Sequence, residues 1–179
     1  MAKSLIALAA GAAVVASAIA AVSHTGATGV VLQRMEAMSE MSASMRVLGP
    51  MMQGRTDWNA DALRAAAELI AGHGAEMTEL FPEGTGGAPS RATPAVWSEW
   101  DEFARLADLL KAASTALAAS ADQGMVAGDA ESSSLAGELS AGTRAATEAL
   151  LAQLPNGELF RLVNQTCSGC HSKYRGRRN

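Results

Sequence analysis

In the stretch Cys167-Ser168-Gly169-Cys170-His171, residue type and spacing together point to one chemistry. On a helix, positions three and four apart share a face, so both sulfurs and the imidazole project to one side. Two thiols so placed can each add to a vinyl group of one haem, and the neighbouring imidazole can supply an axial ligand to its iron. Cys-x-x-Cys-His is the attachment signature of c-type haem for this reason. The stretch also lies within an apolar stripe of Phe160, Val163, Cys167, Cys170 and Tyr174, at alternating spacings of three and four. That periodicity turns the cofactor toward a packed interior.

Two other chemistries use paired cysteines. A thioredoxin-like disulfide expects a strand before the pair and a βαβ setting, and the chain has no strand pattern. A structural zinc site needs four ligands. Only His24 and His73, plus carboxylates, could join the two cysteines, because the chain holds no second Cys pair.

The elements that must position this motif read as helices. The chain has 179 residues, one domain by the usual size prior and long enough to bury a core. Aromatics make up 4% while Ala, Leu and Met dominate, a composition that favours helix over sheet. A net charge of -4 argues against a nucleic-acid partner and suits an acidic protein that meets other proteins through a local patch. No nucleophile with its base, carboxylate pair or phosphate-binding loop emerges, so the chain does not read as an enzyme.

Met1 to Ala21 reads as an export signal, with Lys3 as its positive region, an apolar run from Leu5 to Ala16 and a cleavage motif at Ala18-Ile19-Ala20. A retained membrane anchor is the alternative, since the apolar run continues to Val22. Residues 22–179 then form the mature domain, expected in the bacterial periplasm, where c-type haem is attached outside the cytoplasm.

The first mature helix is expected from about Thr28 to Gln53, with Met38, Met41, Met45, Leu48 and Met52 as its apolar stripe and Gly49-Pro50 weakening its end. Such a stripe serves as core filler, though one thioether facing the iron would complete a Met/His pair, which raises the reduction potential. A second helix follows, capped by Asp57 or Asn59, with Leu63, Ala66, Ile70 and Met77 inward and His73 in a groove or on the surface, ending near Leu80. Thr93-Pro94 is expected to cap and open the third, whose stripe runs Trp97 or Trp100, Phe103, Leu106, Leu110, Ala113 and Leu117. Residues 121–134 read as loop. A further helical stretch carries Leu135, Leu139, Ala146 and Leu150, and Pro155-Asn156-Gly157 ends or bends it into the motif helix, about Gly157 to Tyr174. The tail Arg175-Gly176-Arg177-Arg178 is basic, either a solvated end or a docking patch.

A haem motif near the C-terminus behind amphipathic helices fits an all-α, antiparallel four-helix bundle with its cofactor between facing helices. In that order the sequence resembles the class II c-type cytochromes, the cytochrome c-prime family, and within it the low-spin, Met-ligated subgroup. The resemblance is carried by Cys-Ser-Gly-Cys-His-Ser-Lys-Tyr-Arg at 167–175, Gln33-Arg34-Met35-Glu36-Ala37-Met38, Val47-Leu48-Gly49, Leu80-Phe81-Pro82, and Pro94-Ala95-Val96-Trp97 through Phe103.

The resemblance implies one covalent haem c, with thioether links at Cys167 and Cys170, His171 as proximal iron ligand and Met38 as the second axial ligand. Met35, Met41 and Met45 stand as rivals to Met38. Arg34 matches the position expected beside a haem propionate, where a guanidinium can pair with the carboxylate. The implied function is one-electron transfer between redox partner proteins, with a five-coordinate haemoprotein that binds or senses NO or CO as the alternative, and a homodimer left open. The stretch between Trp97 and Cys167 is longer than the family pattern, by an extra helical segment around Leu135 to Leu154.

Overall fold

The computed structural model describes residues 26–145 and 148–177. The export segment and Ala146 of the expected fourth stripe lie outside the described residues. Every element of the described residues is helical or a turn, apart from an isolated bridge between Ala92 and Arg175.

Helix α1 spans Gly29–Met52 and α2 spans Ala60–Glu76, continued by a 3-10 turn over Met77–Leu80. Pro50 falls in the last turn of α1, so the helix ends two residues later rather than breaking in its middle. Asn59, and not Asp57, caps α2: its Oδ1 accepts from the Ala62 amide at 2.9 Å, satisfying one of the amides that no helical carbonyl reaches.

The expected third helix is divided. A single turn, α3 at Ala95–Ser98, gives way at Glu99 to the long α4 at Trp100–Ala119. Thr93 does not cap α3; its hydroxyl donates to the Lys173 carbonyl at 3.2 Å and its amide donates to the Tyr174 carbonyl at 2.9 Å. Tertiary partners on the last helix have taken the groups that a local cap would have used.

The extra segment is two helices, α5 at Ala130–Ser140 and the single turn α6 at Glu148–Leu151, rather than one stretch. The loop expected to run to residue 134 stops at Asp129, whose side chain accepts from the Ser132 amide at 2.8 Å while Ser132 Oγ accepts from the Asp129 amide at 2.9 Å. That reciprocal pair nucleates α5 in a sequence too polar to show a clear stripe. The motif helix, α7, spans Asn156–Tyr174.

Helices α1, α2, α4 and α7 form a four-helix bundle: α1 packs on α2, α2 on α4 and α4 on α7, while α5 lies outside against α7. On α1, α2 and α4 the aliphatic positions of the predicted inner faces are the buried ones, with Leu48, Leu63 and Leu117 each at 0% exposure, whereas on α7 Leu159, Leu162 and Val163 are buried and Phe160, Cys167 and Cys170 of the expected stripe are only half-buried. Full burial of an aliphatic side chain of this size contributes about 1.5–3 kcal/mol, so these stripes supply the main drive to assemble the bundle. Close approach sets the α2–α4 crossing: a Cβ on Gly74 would stand 2.9 Å from the Lys111 backbone nitrogen. His73, beside it, sits with Nε2 2.7 Å from Glu40 Oε2 and ties α2 to α1.

Candidate haem site

Helix α7 positions the motif by burying its opposite face. Leu159, Leu162 and Val163 are sealed in the core and the Thr166 hydroxyl donates to the Leu162 carbonyl at 2.8 Å, which leaves Cys167, Cys170 and His171 on the side turned toward α1. Contact between α1 and α7 is sparse because two adjoining cavities, of about 210 and 550 Å³, lie along that side.

The smaller cavity is apolar. Met38, Met41 and Met45 of α1 face Cys167 and Cys170 across it, with Phe103 and Leu106 of α4 at its side. The larger cavity has a polar wall that includes Arg34, Arg91, Tyr174 and Arg175. Met38, Ser42, Phe103, Cys170 and His171 border both. Of the candidate methionines, Met41 and Met45 border only the smaller cavity and Met35 only the larger.

The two cysteines are not joined in a disulfide. Burial pushes the Cys167 thiol up, and burial together with Cys167 pushes Cys170 up to about 11. Both are therefore thiols at neutral pH, the reverse of a redox-active pair, whose attacking sulfur is held as thiolate. The His171 imidazole is shifted the other way: burial first, then the charges of Arg175 and Arg91, lowers its basicity. A neutral ring keeps a nitrogen lone pair for a metal.

Arg34 is 4% exposed. Its guanidinium donates to Thr85 Oγ1 at 3.1 Å, Ser90 Oγ at 2.6 Å, the Leu80 carbonyl at 3.4 Å and the Thr85 carbonyl, and it lies over the Phe81 ring. Among the described residues these partners are all neutral, and burial lowers its pKa without discharging it.

The residues fit a haem. An apolar slot of methionine, leucine and phenylalanine suits the porphyrin face, and the cationic end suits its two carboxylates. Tyr174 stands in the wall of that polar end, its ring edge-on to Phe103 at 5.4 Å and the Lys173 ammonium 5.5 Å from its centroid.

All five residues singled out in the sequence, Arg34, Met38, Cys167, Cys170 and His171, border this one site. Arg91, Tyr174 and Arg175 were not assigned to it. Arg175 carried a usable signal, since it stands four residues beyond His171. Arg91 carried none; the pairing of Ala92 with Arg175 brings it in.

Fold and site thus define a class: a helical-bundle haem protein whose attachment motif closes the last helix. Comparison with known proteins narrows the class. The family model described as Cytochrome C' matches residues 29–137, ending inside α5 and ahead of the motif helix. The chain is 32% identical over 143 residues to the cytochrome c' of Pararhodospirillum photometricum, covering 79% of this chain and 92% of that one. It is 28% identical over 147 residues to the cytochrome c-556 of Agrobacterium tumefaciens (strain II Chrys), covering 82% and 97%. A ferrous Alcaligenes xylosoxidans cytochrome c' variant with bound NO shares the fold at a TM-score of 0.58 and 20% identity, over 83% of this chain and 94% of that one. The chain belongs to the cytochrome c' family, and its cofactor is one covalently bound haem c.

Proposed function

We propose that this chain is a one-electron carrier whose haem iron is held between His171 and Met38. When bound, the haem supplies a single reversible ferrous–ferric step. Cys167 and Cys170 fix the porphyrin through thioether links, and the neutral His171 gives the proximal nitrogen. Arg34, with Arg91 and Arg175 in the same cavity wall, offers guanidinium charge to the propionates. The apolar slot would shield one face of the porphyrin, and a thioether paired with an imidazole would raise the reduction potential. No step of substrate chemistry is asked of these residues.

The observation that carries this reading is the position of Met38, the one candidate methionine that borders both cavities together with His171 and Cys170. Export by the Met1–Ala21 segment would deliver the chain to the periplasm, where redox partner proteins meet it. No helix of the described residues is long and apolar enough to cross a membrane.

A second reading has its own support. A ferrous variant of the Alcaligenes xylosoxidans cytochrome c' carries bound NO, and a chain with an open sixth position would bind it likewise. Absorption spectra of the purified holoprotein decide between the two. A low-spin haem in both oxidation states, unreactive toward CO, supports the carrier. A high-spin ferrous haem that takes up CO at once would establish the gas-binding reading instead.

A further inference from the structure

We infer that Thr93 is a positioning residue for the proximal ligand: from the loop ahead of α3 it holds the last turn of α7, and with that turn the His171 imidazole. The inference rests on His171 as the proximal ligand and is independent of which group takes the sixth position. Thr93 itself borders neither cavity.

Helix α7 closes at Tyr174, three residues beyond His171. The last turn of a helix frays, and its final carbonyls find no partner within the helix. A histidine that binds a metal is ordinarily oriented by a hydrogen bond to its second ring nitrogen. The His171 ring makes no hydrogen bond among the described residues; its surroundings are apolar burial and the charges of Arg175 and Arg91. Its direction therefore depends on the backbone that carries it.

Thr93 secures that backbone with two donors. Its amide donates to the Tyr174 carbonyl at 2.9 Å and its hydroxyl to the Lys173 carbonyl at 3.2 Å, two of the groups that α7 leaves open. Its own carbonyl accepts from the Val96 amide at 3.1 Å, and Val96 is fully buried, so both donors are mounted on the core. Beside it, Ala92 bridges Arg175 and the Gly176 amide donates to the Arg91 carbonyl at 2.7 Å.

The same strap is fastened to α1. Ser90 Oγ accepts from the Arg34 guanidinium at 2.6 Å and from the Ala92 amide at 3.0 Å, and Arg34 stands one turn before Met38. Since α1 and α7 touch only sparsely, residues 90–93 tie the turn ahead of Met38 to the turn beyond His171. The strap thereby sets the separation of the two helices across the haem slot. The Thr93 hydroxyl can be removed from it without changing charge or side-chain shape.

The test uses the haem-loaded protein with Thr93→Val, which lacks the hydroxyl, and Thr93→Ser, which keeps it. In Thr93→Val, hydrogen exchange at the amides of 172–175 should quicken about three- to tenfold, as expected for one lost hydrogen bond, while the α2 amides exchange as in wild type. Resonance Raman spectra of the ferrous protein, taken in the Met38→Ala background so that the iron keeps its proximal ligand alone, should show the iron–histidine stretching band shifted or broadened by Thr93→Val and restored by Thr93→Ser. An unmoved band with unchanged exchange would overturn the proposal. So would faster exchange throughout the bundle with an unmoved band, because that is general loosening and not control of the ligand. An iron–histidine band already present with Met38 intact would defeat the Met38 ligation, and the response of that band to Thr93→Val would still decide the role of Thr93.

Discussion

The Arg34 guanidinium lies over the ring of Phe81, 4.7 Å from its centroid, and so joins α1 to the loop that closes the polar end of the haem cavity. The same ring meets Phe103 edge-on at 4.8 Å, and Phe103 meets Tyr174 at 5.4 Å. Cation, loop and last helix are thus one packed unit, and a change at Arg34 is felt in all of them.

Arg34→Gln should therefore destabilise the holoprotein by about 1.5–3 kcal/mol, because hydrogen bonds from a buried charged donor to the half-buried Thr85 and Ser90 are lost. Urea unfolding followed by far-ultraviolet circular dichroism measures this. A loss under half a kcal/mol would mean the loop is held by other contacts.

Met38→Ala should turn a low-spin spectrum into a high-spin one that binds CO, and should lower the reduction potential. Met41→Ala should leave the spectrum low-spin. If the two results were exchanged, the second axial ligand would be one turn further along α1.

Each thioether should be separately removable. Cys167→Ala and Cys170→Ala should each retain haem by the remaining link, and the double variant should release it into acidified butanone. Haem that stays with the double variant would show attachment through some other residue.

Gly74→Ala tests the helix crossing against local propensity. Helix propensity alone favours alanine by about 1 kcal/mol. The new Cβ would lie 2.9 Å from the Lys111 backbone nitrogen, which cannot yield as a flexible side chain would. Overpacking of this kind costs about 1–3 kcal/mol, so the melting temperature should fall rather than rise.

Asn156 gives a prediction with a pH sign. It is fully buried, donating to the Gly124 carbonyl at 2.6 Å and accepting from the Val126 amide at 2.9 Å. Asn156→Asp would place a carboxyl in that slot, and burial raises its folded pKa above the unfolded value. The folded state then binds the proton more tightly, so the variant's deficit relative to wild type should grow as pH rises from about 4 to 7. Thermal melts at the two pH values provide the measurement.

The sequence by itself determined the four bundle helices, the inward faces of α1, α2 and α4 and the haem motif, because a period of 3.6 residues and a spacing of three and four are local properties, while on α7 the core took Leu159 and Leu162 from beside the expected stripe. Arg34 and Met38 were pointed to by the family resemblance rather than by periodicity, and they border the same cavity. The sequence read only the first five residues of α5, 130–134, as loop, since three serines in its first turns leave a faint apolar signal, and it read Thr93 as a cap. Those outcomes were decided by partners distant in the chain: Lys173 and Tyr174 for Thr93, and α7 for α5. Only the tertiary structure could gather Arg91, Tyr174 and Arg175 at the polar end of the slot, or leave Trp100 in solvent while Trp58 and Trp97 turned inward. Periodicity states which side of a helix is buried; which residues of other helices meet it depends on how the helices pack.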